Sequence, residues 1–259
     1  MTDELKIDIA QEFPHLSRAP IVEAALEIRA RAEGAWEESS ILEQLKTRLP
    51  DYPAALSQRE FRQEFQFWPN QSSETKYHDL GFKGFRFQSE DNLQIAQFNR
   101  DGFSFGRLQP YESWERFSDE SFRLWEIYSE LAAPGEIQRL GLRFINRILL
   151  PSRDARLEDV LVAPPSTPLG QDFPPVAFLH HDSFAVPGYS YIVNLIQTVQ
   201  PRQAPGGEGP ALIIDIDVFN EQPFALETGI LRQRVSEMRW LKNKFFFGNI
   251  NPQALEMFK

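Results

Sequence analysis

Apolar and polar positions alternate cleanly between residues 19 and 33. Val22, Ala24, Leu26, Ile28 and Ala30 fall on one side, and Glu23, Glu27, Arg29 and Arg31 on the other. Period two with one wet face predicts a half-buried antiparallel strand. Ahead of it, residues 5–9 read as a short edge strand within an N-terminal segment over residues 1–18. Behind it, Ser40 and Glu43 stand at capping-box spacing, and Ile41, Leu42, Leu45 and Leu49 recur along a helix that stops before Pro50. Aromatic-rich strands follow around residues 61–68, 82–88 and 93–108, with a turn or bulge at Arg100, Asp101 and Gly102. Trp114, Phe117, Leu124, Trp125, Tyr128 and Leu131 then mark a long helix over residues 111–131, ended by Pro134 and Gly135.

A second series repeats this order. Residues 137–150 predict a strand, 157–161 a short helix, 163–175 a loop with five prolines, and 184–199 a strand or hairpin arm. A Gly/Pro turn is expected over residues 200–210, a strand over 211–220, and a long helix over 227–247. Leu231, Val235, Met238, Leu241 and Phe245 face inward on that last helix. Antiparallel strands precede each long helix, so the predicted class is α+β.

The repeated order suggests a tandem duplication. A shift of 116 residues lays residues 23–28 on 139–144, Asn99, Asp101 and Phe103 on Asp215, Asp217 and Phe219, and residues 122–125 on 238–241. The expected organisation is a first half over residues 19–135 and a second over 136–259, forming one compact domain. Two such halves would share a curved sheet, each losing one exposed edge. In outline this is similar to the duplicated helix grip of the TATA-binding protein, an analogy of fold that carries no activity. Glu23 and Glu27 on the first strand are expected to face Arg139 and Arg143 on its counterpart, each opposed pair contributing roughly 0.2–1 kcal/mol.

Composition narrows the class of protein. With 42% hydrophobic and 25% charged residues, wholesale disorder is excluded. The 22 Phe, 5 Trp and 6 Tyr predict an aromatic core. The absence of cysteine removes disulfides, thiolate metal sites and cysteine nucleophiles. Neither a secretory leader pattern nor a long apolar run is present, so the expected location is the cytoplasm, away from any membrane. A net charge of −10 argues against a whole-surface nucleic-acid footprint.

Several residues are candidates for chemistry. Asp215 and Asp217, two apart on a strand, leave one face together; they could hold a hard cation or share a proton, or simply line a solvated face. Glu23 and Glu27 with Arg29 and Arg31 form a charged strand face, without the E-x-E-x-K pattern of tunnel phosphohydrolases. Arg143 and Arg147 share a face suited to anions or a partner, whereas Asn146 points to the apolar side and needs hydrogen-bond partners there. Lys242 and Lys244 interleave with Phe245, Phe246 and Phe247, a mixture suited to single-stranded nucleic acid or to a docked helix end. The four histidines show no metal spacing, and neither a P-loop, a dinucleotide fingerprint nor a nucleophile elbow is present.

The run A-P-I-V-E-A from Ala19, the run G-L-R-F-I-N-R from Gly141, and D-I-D-V-F followed by a K-N-x-x-F helix resemble a sporadically distributed family of uncharacterised bacterial proteins. The resemblance implies a bacterial cytosolic protein and supplies neither a catalytic residue nor a cofactor. The leading expectation is a non-catalytic module that binds a protein partner or small ligand, on the concave sheet face or beneath the long helices, with a homodimer allowed for. The alternatives are a metal-dependent hydrolase or phosphotransferase using Asp215 and Asp217, and a nucleic-acid-binding saddle using Arg139, Arg143, Arg147, Lys242 and Lys244.

Overall fold

The computed structural model describes residues 5–68, 74–150, 156–164, 177–201 and 209–259. In chain order its elements are β1 (Ile21–Arg29), α1 (Glu38–Arg48), β2 (Ala54–Gln66), β3 (Glu74–Gln88), β4 (Gln94–Asn99), β5 (Gly102–Leu108) and α2 (Trp114–Ala132). They continue with β6 (Glu136–Ile137), β7 (Arg139–Leu149), β8 (Leu179–Ala185), β9 (Ile192–Gln200), β10 (Ala211–Asn220), β11 (Phe224–Ala225) and α3 (Thr228–Asn249). Nine strands form one antiparallel sheet in the order β2-β3-β4-β5-β1-β7-β10-β9-β8, and β6 pairs separately with β11. The class is α+β. Among the described residues, no helix is long and apolar enough to cross a membrane.

Period-two alternation decides which face of the sheet is covered. Ala24, Leu26 and Ile28 of β1, Leu140, Leu142 and Phe144 of β7, and Ile214, Ile216 and Val218 of β10 are all buried on the side where the helices pack. Aromatic rings fill much of this layer. Phe98 meets Phe103, which meets Trp125 and Tyr128 of α2, while Phe105 and Phe144 both pack on Phe117. The opposite face carries the odd-numbered positions of β1, β7 and β10, where the charged residues lie.

β1 is paired on one side with β5 and on the other with β7, aligning Leu26 with Leu142 and Glu27 with Gly141. The two strands singled out by charge are therefore adjacent. Helix α2 begins at Ser113, whose side chain accepts a hydrogen bond from the Arg116 amide at 3.2 Å, and ends where Ala133 takes a left-handed conformation at φ 44°.

Local expectations fail in four places. Residues 5–9 form no strand; Leu5 and Ile7 pack loosely on the core, and the Ile7 amide donates to the Tyr189 hydroxyl instead of a strand partner. Helix α1 starts at Glu38, which puts Ser40 and Glu43 inside the helix, where the Ser40 hydroxyl receives Gln44 rather than capping. The shifted equivalence of Asn99 and Asp101 with Asp215 and Asp217 does not hold in space. Asn99 closes β4 and Asp101 lies in the turn after it, while both aspartates sit in the middle of β10. Finally, the aromatic strand at residues 61–68 is not core. β2 and β3 run past β4 as a two-stranded ribbon, leaving Phe61, Phe65, Phe67 and Tyr77 exposed. The proline loop and the Gly/Pro turn expected at 163–175 and 200–210 lie largely outside the described residues.

Leu26 is 1% exposed at the middle of the central strand. Leu26→Ala should destabilise the protein by about 2–5 kcal/mol, the cost of a buried leucine truncation, read as a lower urea midpoint with an unchanged slope.

Candidate functional site

The charged residues on the open sheet face form a connected network. Arg139 reaches Glu27 across the β1–β7 seam, lies 3.6 Å from Asp217 and 3.8 Å from Glu221, and stacks its guanidinium over the Phe219 ring at 4.9 Å. It can do so because Gly141 stands between these groups. A Cβ there would meet the Arg139 guanidinium nitrogen at 2.7 Å. One row along, Arg143 holds Asp215 through two parallel bonds, Nε to Oδ1 at 2.9 Å and Nη2 to Oδ2 at 2.5 Å. This fork geometry is the strong form of an arginine–carboxylate pair. Asp215 is 7% exposed.

Charges therefore match across the seam, though not as simple opposition predicts. Glu27 meets Arg139, but Glu23 lies opposite Ile145, and Arg143 turns away to Asp215 on β10. Arg29 folds back onto Glu27 at 2.9 Å. Burial raises the Asp217 carboxyl above its ordinary range, only partly offset by Arg139 and Arg143. With each aspartate engaged by a guanidinium, the pair presents no open ligand set. Among the described residues no group of three or more His, Asp or Glu converges on a point.

The remaining candidates separate. Asn146 is on the helix-covered side, 3% exposed, donating its amide to the Ile214 carbonyl at 3.0 Å. Arg147 stays on the open face and donates to Gln200 at 3.2 Å. Lys242 is on the helix-covered side as well, against Phe144, so it cannot join Arg139 and Arg143 in one basic saddle. Lys242 thus lies on the opposite side of the sheet from Arg139, Arg143 and Arg147.

Beneath the helices, one of the two places where a ligand was expected, lies a cavity of about 710 Å³, whose lining the sequence did not reveal. It lies between residues 9–21, the start of α2 and the C-terminal half of α3. The N-terminal segment forms its roof. Phe13 stacks on Phe247 with ring centroids 5.5 Å apart, the Trp240 indole donates to Gln11 at 2.8 Å, and the Arg18 amide donates to the Phe258 carbonyl at 2.9 Å. Tyr111, Trp114, Trp240, Phe246 and Phe247 give aromatic walls, and Asn146 contributes from the sheet.

Lys242 lines this cavity with its ammonium 4.3 Å from the centre of the Phe144 ring. Burial, with repulsion from Arg239, pushes the ammonium down to about 7. Burial also raises the Tyr111 hydroxyl, which therefore stays a proton donor. A sequence signal for Lys242 did exist: Leu231, Val235, Met238, Lys242 and Phe246 share one helical stripe, with a lysine in an otherwise apolar row. No protein-family model matches the chain, and no curated protein matches it.

The raised Asp217 carboxyl fixes a sign. Its native state holds the proton more tightly than the unfolded chain, so its contribution is present in acid and lost as pH rises through the native titration. Asp217→Asn should therefore raise the melting temperature near neutral pH, by about 2–4 °C for roughly 1 kcal/mol. The difference should close below the ordinary carboxylate range, where both side chains are neutral.

Proposed function

We propose that the chain is a non-catalytic binding module built from two related halves, bacterial and cytosolic, whose ligand space is the cavity beneath the long helices. Two parallels support related halves: strands followed by a long helix occur twice along the chain, and the first strands of the two series, β1 and β7, are neighbours at the centre of the sheet. The arrangement is similar in outline to the helix grip of the TATA-binding protein. The observation that carries the binding reading is the cavity itself, half-open to solvent and of a size suited to a small organic ligand, with aromatic rings set among a larger number of polar side chains. The hydrolase alternative lacks comparable support, because Asp215 is taken up by Arg143 and Asp217 lies beside Arg139.

N-phenyl-1-naphthylamine, a neutral dye that brightens in apolar surroundings, provides a test. The folded protein should show saturable one-site fluorescence, and Asn243→Trp, which fills the cavity from α3, should abolish it with little change in melting temperature. Absence of saturable binding to the folded wild-type protein would overturn the reading.

A separate observation favours self-association. The outer β2–β3 ribbon has one apolar face, with Phe61, Phe65, Phe67 and Tyr77, and one charged face, with Arg62, Glu64, Lys76 and His78. A lone two-stranded ribbon is marginal in water, and a second copy laid on the apolar face would cover both. Sedimentation should then give a dimer that Phe61→Ser with Phe65→Ser turns into a monomer; a monomeric wild-type protein rejects self-association.

A further inference from the structure

We propose that the ligand of this cavity is a small aromatic organic acid whose anionic group is held by Lys242, Tyr111 and Asn243. The inference rests on the binding reading above and gives it a chemical class. Its basis is a set of polar groups without partners. Within the described chain Lys242 has no carboxylate within ion-pair distance, and its only close contact of note is the Phe144 ring. Among the described residues the Tyr111 hydroxyl and the Asn243 side chain make no hydrogen bond, and both line the same cavity. All three side chains keep contact with solvent at the cavity, so an entering ligand can meet them. Three donors without acceptors among the described residues, beside one space lined in part by aromatic rings, suit an anion attached to a flat apolar body.

The surrounding charges strengthen the point. The acids that face the cavity are otherwise engaged: Glu112 is held by Arg107 and Arg116, and Glu115 lies 3.8 Å from Arg239. Glu12 and His15 belong to the exposed roof and reach no ion pair with Lys242. Arg239 adds further positive charge, its guanidinium 4.9 Å from the Trp114 ring centre. Among the described residues no carboxylate thus pairs with Lys242. A neutral ligand would leave the ammonium as costly as before, whereas an anion would pair with it in a site of reduced dielectric.

The test uses two dyes that differ by one group. 8-Anilinonaphthalene-1-sulfonate is N-phenyl-1-naphthylamine carrying a sulfonate, so their affinity ratio reports the anion contribution alone. With the folded protein near pH 6, the sulfonate should bind at least about tenfold more tightly than the neutral dye. Lys242→Met should erase that preference while leaving the neutral dye within about twofold, and Lys242→Arg should restore it.

Because the anion prefers protonated Lys242, sulfonate affinity should fall as pH rises above about 7, and binding near pH 8 should take up a proton in calorimetry. Lys242→Arg should show neither effect. Equal affinities of the two dyes for the wild-type protein, or a preference that survives Lys242→Met, would overturn the anion assignment while the cavity reading stands. Failure of the neutral dye to bind would reject the cavity reading itself.

Discussion

The antiparallel pairing of β1 with β7 is the constraint on which the rest of the structure depends. It joins a five-strand set, β2-β3-β4-β5-β1, to a four-strand set, β7-β10-β9-β8, and brings both long helices to one face of a single sheet. Such a sheet has one dry side and one wet side. A one-residue slip at the seam would exchange them, driving Glu23 and Glu27 into the aromatic layer. The contact of Glu27 with Arg139 across the seam, and the hold of Arg143 on Asp215 one strand further on, oppose that slip from the wet side. Leu26 beside Leu142 opposes it from the dry side.

The two faces handle charge in opposite ways. On the open face Arg139 and Arg143 meet Glu27, Asp217 and Asp215, so most of the central charges are engaged within the sheet. Beneath the helices the balance is reversed. Lys242 is withdrawn among rings, and the nearby acids are occupied by arginines elsewhere. The row of charge on the open face is thus largely engaged within the sheet, whereas Lys242, in an otherwise apolar helical row, meets no carboxylate among the described residues. That contrast places the binding reading on the helix side of the sheet.

Much of the architecture was legible from periodicity. The alternation at Val22–Ala30 and the helical rows ending at Tyr128 and Leu241 each report burial on one face, a local property that sequence records directly. The ribbon was not legible, because Phe61 and Phe65 alternate like core residues yet lie on strands that run past β4 and stay exposed. On the open face Asp215, Asp217, Arg143 and Glu27 were all recognised, but their partners depend on register. Gly141 is what lets Arg139 lie flat across the strand. The cavity required three segments far apart in the chain, residues 9–21, the start of α2 and the end of α3, to converge, and no local pattern encodes such a meeting.

The outermost strands carry a consequence for how far this sheet can extend. β8 is seven residues long and presents His180, His181 and Asp182, with His180 and Asp182 3.2 Å apart. At the other margin β2 carries Arg59, Glu60, Arg62 and Glu64 in close succession. Backbone groups at both rims are open to further strands, yet a chain adding there must accommodate several ionic side chains. These charges oppose edge-to-edge addition to a sheet already nine strands wide.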